Sequence, residues 1–504
     1  MTNRLSIKSK QVLFSVMATL IIGFIIHGFS FSNLDLSHDS VVEMTGIYDK
    51  YLITLGRFCS VLIFKISPLA IPWFNGIVSL IIMGVSFHFI FSFLDIKNRF
   101  IKLLTIACIL SNRSLIALIA TYVEDVICYS LALFFISLAL YVIYRIPKYK
   151  WFSILIFLIS LGIYQAYIQI AAVIIIAKTV SDLLSDRDYS LALKELFANT
   201  LIIISSMISY FAIYKLTLFI YGLDEAASGL ENSPNNALIV FSADLWNRIL
   251  NAFQFEVFYI SNISGDNSYL GSAFLILLII LGLLLTLSVM NQRKTKRASA
   301  YLIIILCLFL PFATGFILVL ANLRHDLIYC SPIYCCLIGA IVVQKYIDSG
   351  TDKSTGFQKG LVGSTFIILL CFIFGNFMFA NRVYMKKNLE EKTTYALMTR
   401  VIDRIEQVDG YIVSETPVVF IGDLSRSPLV TRNEYFDYDG CAWYSSFAIT
   451  YSIDSYIEKY MNYPMNIQEA DAELISGITD ELTVFPQSRS VNMIDGTVYV
   501  RLSE

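Results

Sequence analysis

The chain has 504 residues, of which 57% are hydrophobic and only 15% are charged. Soluble domains carry about 25% charged and about 45–50% apolar residues, so a mean hydropathy of +0.68 indicates a membrane protein. This composition excludes a disordered, collagen-like or purely cytosolic protein, and 37 basic against 39 acidic residues give no sign of nucleic-acid binding. The nine cysteines form no CxxC pair and no Cys/His ligand spacing, which argues against a disulfide scaffold or a zinc site.

Apolar runs of the length that spans a bilayer, about 20 residues, recur along the first three quarters of the chain. They lie near residues 11–29, 68–92, 101–119, 127–144, 200–220, 271–290, 299–321, 328–344 and 361–380. The first run follows a basic segment as in a signal peptide, but it has no clean cleavage site, so we interpret it as a retained anchor. A further stretch, 151–177, is uncharged and too long for one upright helix.

The distribution of Lys and Arg fixes the predicted topology. Short loops rich in Lys and Arg stay in the cytoplasm, and a single helix between Lys150 and Lys178 would put the later basic loops on the opposite side. Two short helices that turn at Tyr164–Gln165 avoid this, and a re-entrant hairpin is the alternative. The resulting prediction has eleven spans with the N-terminus inside and the C-terminus outside. It places 19 Lys and Arg in cytoplasmic segments and 7 in or beside the outer loops before residue 381.

The predicted fold class is a polytopic α-helical membrane protein with a small outer α/β domain at its C-terminus. The membrane part covers residues 1–380, with outer loops at 30–67, 120–126, 221–270 and 322–327, and the α/β domain covers 381–504. In that domain the pattern predicts helices over Tyr395–Val408 and Ser446–Tyr460 and strands over Pro417–Ile421 and Thr497–Arg501.

The first outer loop carries the strongest chemical pattern. If Ser40 begins a helix, Glu43, Lys50 and Arg57 recur every seven residues and share one face, with Asp39 one turn earlier. A carboxylate can take a proton from an attacking hydroxyl, while Lys or Arg stabilises a departing phosphate. The pattern therefore suits transfer of a group from a lipid phosphate. The alternative is a capping box formed by Ser40 and Glu43 on a helix with solvated charges.

The second outer loop carries the adjacent acids Glu124 and Asp125. Carboxylates at the end of a span are costly unless they bind something or face water, so both are candidate catalytic residues. Neighbouring side chains on a helix diverge, and we expect only one of the two at any given site. Solvation of the helix end together with interaction with the helix dipole is the alternative.

Other outer positions offer binding groups. Tyr164 and Gln165 lie at the predicted turn, where an amide suits sugar hydroxyls and an aromatic belt is the alternative for the tyrosine. Arg324 and His325 follow a span and could hold a phosphate, although snorkelling to lipid headgroups also explains them. The amphipathic stretch 246–259 is typical of a helix that lies on the membrane.

Four segments carry a resemblance to a known family. They are HDSVVEM (38–44), YDKYLITLGRF (48–58), SLGIYQAY (160–167) and PVVFIGDLS (417–425). With the length and layout of the chain, they resemble the Gtr type II family of serotype-converting membrane O-antigen glucosyltransferases, which are similar in plan to the GT-C glycosyltransferases.

The resemblance implies an inverting enzyme of the bacterial inner membrane. It would transfer glucose from undecaprenyl-phosphate-glucose to lipopolysaccharide O-antigen at the periplasmic face, with a flippase and a donor synthase as companions. The first-loop acid of the GT-C plan falls on Asp39 or Glu43, and the second-loop acid on Glu124 or Asp125. No cofactor is expected, and a divalent metal is left open. The aromatic stretch Tyr435–Tyr444 is expected either to stack on acceptor sugars or to pack in a core.

Two alternatives remain at this point. The enzyme could transfer another sugar, to lipid A or to a protein. The chain could instead be a lipid-linked glycan flippase or another transporter. Transporters usually have repeat symmetry and ionisable residues near the membrane midplane, whereas here the charges cluster at the outer ends of the spans.

Overall fold

The structure is a computed structural model of the chain. It describes residues 2–35, 37, 40–41, 48–66, 71–224, 244–261, 269–321, 326–350, 355–422, 452–469, 477–478 and 481–503.

The described part of the chain is dominated by helices. Their bounds are α1 Thr2–Ser32, α2 Tyr48–Thr54, α3 Phe58–Ile66, α4 Pro72–Phe93, α5 Arg99–Leu110, α6 Arg113–Thr121, α7 Val126–Arg145, α8 Ser153–Ile163, α9 Ile168–Leu184, α10 Tyr189–Tyr221, α11 Leu245–Ser261, α12 Tyr269–Gln292, α13 Arg297–Ala321, α14 Cys336–Asp348 and α15 Gly356–Glu406. Short 3-10 segments precede α8, α9 and α14.

The protein is a polytopic helical membrane protein. Among the described residues, eight helices are long and apolar enough to cross a bilayer, or nine if α5 and α6, which meet at a bend of 52°, form one span. The predicted count of eleven stays a prediction, because α8 and α14 have only 11 and 13 residues. Helices α1 and α4 pack closely at Gly84, where an added Cβ would lie 2.6 Å from the Val16 Cα.

Two ends of the helix bundle differ in chemistry. At one end, here called the basic end, the predicted cytoplasmic segments meet: Arg145 pairs with Asp95 at 2.7 Å, and the Lys97 N–H donates to Gln344 at 3.0 Å. At the other end, here called the loop end, the segments around Asp35, Ser40, Glu124, Tyr164 and Leu327 meet. The loops sort between the two ends as the charge pattern predicts.

The uncharged stretch 151–177 contains two helices, as predicted. Helix α8 ends at Ile163, and Tyr164 has an extended backbone (φ −153°, ψ 104°) before a 3-10 turn leads into α9. Ser160 donates to Ala132 O at 2.9 Å, which fixes α8 against α7. The turn lies at the loop end, since the Tyr164 hydroxyl donates to Leu327 O at 3.1 Å.

Helix α15 is continuous across the predicted boundary at residue 381. It begins in a capping box made by Thr355 and Gln358 and runs for 51 residues, so the predicted helix over 395–408 is its last part. About 20 residues cross a bilayer, so the remainder of α15 extends past the membrane at the loop end.

A small α/β unit follows α15. The predicted strands at Pro417–Ile421 and Thr497–Arg501 are confirmed as β1 and β4, and β2 (Asn466–Ile467) and β3 (Val491–Ile494) complete the sheet. The order is β2-β1-β4-β3, with only β3–β4 antiparallel. The predicted helix at 446–460 is present as Ile453–Ser455 and Tyr456–Tyr460, while 446–451 lie outside the described residues.

The core of this unit joins three parts of the chain. Leu397, Val401 and Ile405 of α15 pack with the inner residues of the sheet, and Val41 of the first outer loop is fully buried among them. The first loop is therefore held between the membrane helices and the C-terminal sheet.

The side of the membrane that each end faces is a prediction that reporter fusions can check. We expect the loop end to face the periplasm, because Lys and Arg collect at the basic end. An alkaline phosphatase fused after residue 400 should therefore be active, and one fused after Arg297 should be inactive. The opposite pattern of activities would show that the loop end faces the cytoplasm.

Candidate active site

Glu124 is the centre of a buried polar cluster at the loop end. It lies at the junction of α6 and α7 and is 6% exposed. The Ser40 hydroxyl of the first loop donates to its Oε1, and the Asn75 side chain of α4 donates to its backbone carbonyl at 3.1 Å. Buried polar groups need such partners. The contacts therefore tie the first and second outer loops together at this carboxylate.

Ser40 is not the N-cap of its helical turn. The Ser40 N–H donates to the Ser37 Oγ at 3.2 Å, and the Ser37 N–H donates to the Ser40 Oγ at 3.1 Å. Ser37 thus occupies the capping position and Ser40 the third position of the turn. The described contacts favour a role of Ser40 in orienting Glu124 over the predicted capping box with Glu43.

Lys387 of α15 lies beside Glu124 and is almost fully buried, at 1% exposure. Glu390, Glu391, Asp35 and Glu124 all interact with its ammonium group electrostatically. A buried lysine is rare unless it is paired, and here one cation faces four carboxylates. We name Asp35, Ser40, Glu124, Lys387 and Glu391 the Glu124 cluster.

The Glu124 cluster is extended by hydrogen bonds on both sides. Asp35, just after α1, accepts from the Asn388 side chain at 2.8 Å. Burial raises the pKa of Asp35, while the hydrogen bond from Asn388 and the charge of Lys387 act in the opposite direction. On the other side, the Tyr456 hydroxyl of the C-terminal unit donates to Glu391 at 3.4 Å.

Asp125 points to a different set of residues, as expected for neighbouring side chains. Its carboxylate interacts electrostatically with Tyr129 and Tyr164. The Arg57 guanidinium interacts with the same two tyrosines. The Arg57 guanidinium lies 5.2 Å from the centre of the Tyr164 ring, a cation–π contact. We name Arg57, Asp125, Tyr129 and Tyr164 the Asp125 cluster.

The predicted single face of Glu43, Lys50 and Arg57 is wrong for its described part. Helix α2 ends at Thr54 and α3 begins at Phe58. Between them Gly56 has φ 75°, a left-handed conformation that glycine adopts without strain and that ends the helix. Lys50 is consequently exposed, whereas Arg57 belongs to the Asp125 cluster.

Gln165 and Tyr164 connect the turn to other loops. The Gln165 amide nitrogen donates to Leu55 O at 2.8 Å and to the Tyr210 hydroxyl at 2.7 Å. The nitrogen of the Gln165 amide is therefore held by contacts within the protein, which fix the turn against the first outer loop and α10. Tyr164 is buried, and its hydroxyl is bonded to Leu327 O.

Helix α11 is amphipathic, as predicted for a helix on the membrane. Trp246, Phe253 and Val257 lie on an exposed apolar face, while Arg248 and Glu256 are buried against α13. Glu256 accepts from Thr314 at 3.1 Å. Burial raises the pKa of Glu256 to about 7, although hydrogen bonds with Tyr329 and Thr314 act in the other direction.

Several predicted site residues lie outside the described residues. They are Asp39, Glu43, Arg324, His325 and the stretch Tyr435–Tyr444. Among the residues that are described, no three His, Cys, Asp or Glu side chains are grouped as metal ligands.

Sequence reasoning missed Asp35, Lys387 and Asn388. The signal was present in the segment MKKNLEEK (385–392), a dense group of charges directly after an apolar span. Such charges look like a solvated helix end, and only the packing of α15 against the first two loops shows that Lys387 is buried.

The fold and this site define a membrane protein in which two acid–base clusters are assembled from separate loops at one end of a helix bundle. The chain matches the family model described as Glucosyl transferase GtrII over residues 28–344. This match covers more than half of the chain, and the protein therefore belongs to the GtrII glucosyltransferase family. No curated protein and no solved structure shows significant similarity to it.

Membership in the family confirms the resemblance seen in the sequence and makes the protein a membrane glucosyltransferase. The matched range contains Ser40, Arg57, Glu124, Asp125 and Tyr164, but it ends before α15. Lys387 of α15 and Tyr456 of the C-terminal unit therefore reach the same site from outside the family match.

Proposed function

We propose that the protein transfers glucose from undecaprenyl-phosphate-glucose to lipopolysaccharide O-antigen at the periplasmic face of the bacterial inner membrane. The reaction is an inverting displacement in which a carboxylate removes a proton from the acceptor hydroxyl as the polyprenyl phosphate departs. A flippase and a donor synthase supply the lipid-linked sugar.

The observation that carries this proposal is the position of the two clusters within a glucosyltransferase of this family. They lie at the loop end, where apolar spans give way to outer segments. A lipid-linked donor presents its phosphate at that depth, while a polymeric acceptor approaches from the aqueous side. Arg57 supplies a cation for the departing phosphate, and the neighbouring acids supply a base.

Four acids are candidates for the base: Asp39, Glu43, Glu124 and Asp125. Asp39 directly precedes Ser40 in the sequence, and the Ser40 hydroxyl donates to Glu124. The described part of the first loop therefore contacts the second-loop acid. The Glu124 carboxylate already accepts a hydrogen bond from Ser40 and interacts with the charge of Lys387. We therefore assign the base to the first loop, with Glu43 favoured over Asp39, and a supporting role to Glu124.

Reconstitution tests the donor and the acceptor together. Purified protein in liposomes should transfer glucose from undecaprenyl-phosphate-glucose to added O-antigen polysaccharide, and it should give no product from UDP-glucose, because the leaving group is a lipid phosphate. The product linkage, read by NMR, should have the anomeric configuration opposite to that of the donor.

The same assay separates the alternatives. Undecaprenyl-phosphate-mannose and an undecaprenyl-phosphate aminosugar serve as competing donors, and lipid A as a competing acceptor. Faster transfer from either competing donor, or to lipid A, would overturn the assignment of glucose or of O-antigen. Retention of the donor configuration would exclude the single-displacement mechanism.

A further inference from the structure

A second polar site lies at the basic end, on the opposite side of the bundle from the candidate active site. A cavity of about 210 Å³ opens between α1 and α5. The described residues that line it are Lys10, Gln11, Phe14, Lys97, Arg99 and Lys102. Four of the six carry a positive charge, and they come from two segments of the chain, 10–14 and 97–102.

No carboxylate occurs among these described lining residues. Two described acids of the basic end pair with other cations: Asp95 with Arg145 at 2.7 Å, and Asp182 with Lys178 and Arg187. Like charges gathered in one cavity repel each other, so the arrangement favours an anion between them.

Among the lining residues, Lys102 most clearly indicates a binding site. Its side chain is only 7% exposed, yet it lines the cavity with its ammonium group 5.8 Å from the centre of the Phe91 ring. Arg99 similarly lies 5.5 Å from the centre of the Phe14 ring. These aromatic faces support the cations without neutralising them, and the charge remains available to a ligand.

The surroundings of the cavity favour a lipid over a free anion. Below it along α1, Leu13, Met17 and Ile21 recur every four residues and are 60%, 45% and 57% exposed. They form an apolar stripe on a helix that is long and apolar enough to cross the bilayer. A phospholipid whose phosphate is held between α1 and α5 could therefore place its acyl chains along this stripe.

We propose that this cavity binds the phosphate headgroup of an anionic glycerophospholipid in the leaflet at the basic end. Basic cavities between membrane helices bind such headgroups by direct pairing of Lys and Arg with phosphate oxygens. The site is separate from the glucosyl-transfer chemistry and does not depend on it.

Lipid retention by the full-length protein tests the proposal. Protein in detergent is mixed with phosphatidylglycerol, phosphatidylcholine or inorganic phosphate, and bound molecules are counted by native mass spectrometry. The wild type should retain phosphatidylglycerol in preference to phosphatidylcholine. Lys97→Gln with Arg99→Gln should weaken that retention about 30-fold, at about fivefold for each charge removed. Lys102→Met should weaken it further.

Lys148→Gln with Lys150→Gln is the matched control, since both lysines lie at the basic end but do not line the cavity. This pair should leave retention unchanged. Equal losses in both double variants, or equal retention of the two phospholipids, would overturn the proposal in favour of general charge attraction. Inorganic phosphate that binds where phosphatidylglycerol does not would show a free-anion site and would also overturn it.

Discussion

Replacing Glu43 by Gln is expected to abolish O-antigen glucosylation while the protein still inserts in the membrane at normal levels. Loss of a general base costs about 10²–10⁴-fold in rate. Glu43 lies in the first loop, three residues after Ser40, and Ser40 is held by Glu124. The measurement is O-antigen modification in cells carrying each variant, with membrane abundance determined in parallel.

Gln has nearly the same size as Glu and still accepts hydrogen bonds, so a purely structural Glu43 would tolerate the change. Asp49→Asn is the matched control: Asp49 lies in the same loop, and its carboxylate is 3.6 Å from Lys65 in a partly exposed pair. This control should keep near-normal activity. Near-normal modification by both Glu43→Gln and Asp39→Asn would defeat the first-loop assignment and transfer it to Glu124 and Asp125.

Replacing Lys387 by Met is expected to destabilise the protein and to reduce glucosylation together. The change leaves Asp35, Glu124 and Glu391 buried without their shared cation. Removal of one partner from a buried ion pair costs about 3–5 kcal/mol. The melting temperature in detergent should fall clearly, and activity should fall because Glu124 loses its counter-charge next to the first loop.

The neighbouring lysine provides the control. Lys386 is 22% exposed, and its ammonium nitrogen lies 3.7 Å from Glu390. Its charge still reaches water, so its loss costs less than the loss of Lys387. Lys386→Met should therefore change the melting temperature little, and Lys387→Arg should retain more stability than Lys387→Met. A Lys387→Met protein that melts at the wild-type temperature would show that the buried charge is not needed.

Local patterns in the chain were sufficient for much of the architecture. The length of each apolar run predicts the membrane helices, and the basic segments predict which loops meet at each end, because water and lipid sort these residues directly. Local pattern also predicts β1, whose apolar run ends at Gly422–Asp423, and β4 as the closing strand. The turn at Tyr164–Gln165 was likewise predicted from charge, although the hydrogen bonds of Gln165 to Leu55 and Tyr210 were not.

The contents of the site depended on contacts between distant segments. Glu124 and Asp125 are adjacent in sequence, but α15 places Lys387 beside one, and the turn at Gly56 places Arg57 in the cluster of the other. The predicted repeat of Glu43, Lys50 and Arg57 failed in its described part, because the left-handed Gly56 ends the helix between Lys50 and Arg57.

The sequence by itself determined that this is a polytopic membrane protein of the GtrII type, with its outer loops at one end and its basic loops at the other. Hydrophobic length and charge are properties of short segments, and the membrane acts on them one at a time. Only the tertiary structure decided that Glu124 is held by Ser40 and Lys387 and that Asp125 lies with Arg57 and Tyr164. Burial and pairing of a charge depend on all the segments packed around it, and those segments are far apart along the chain.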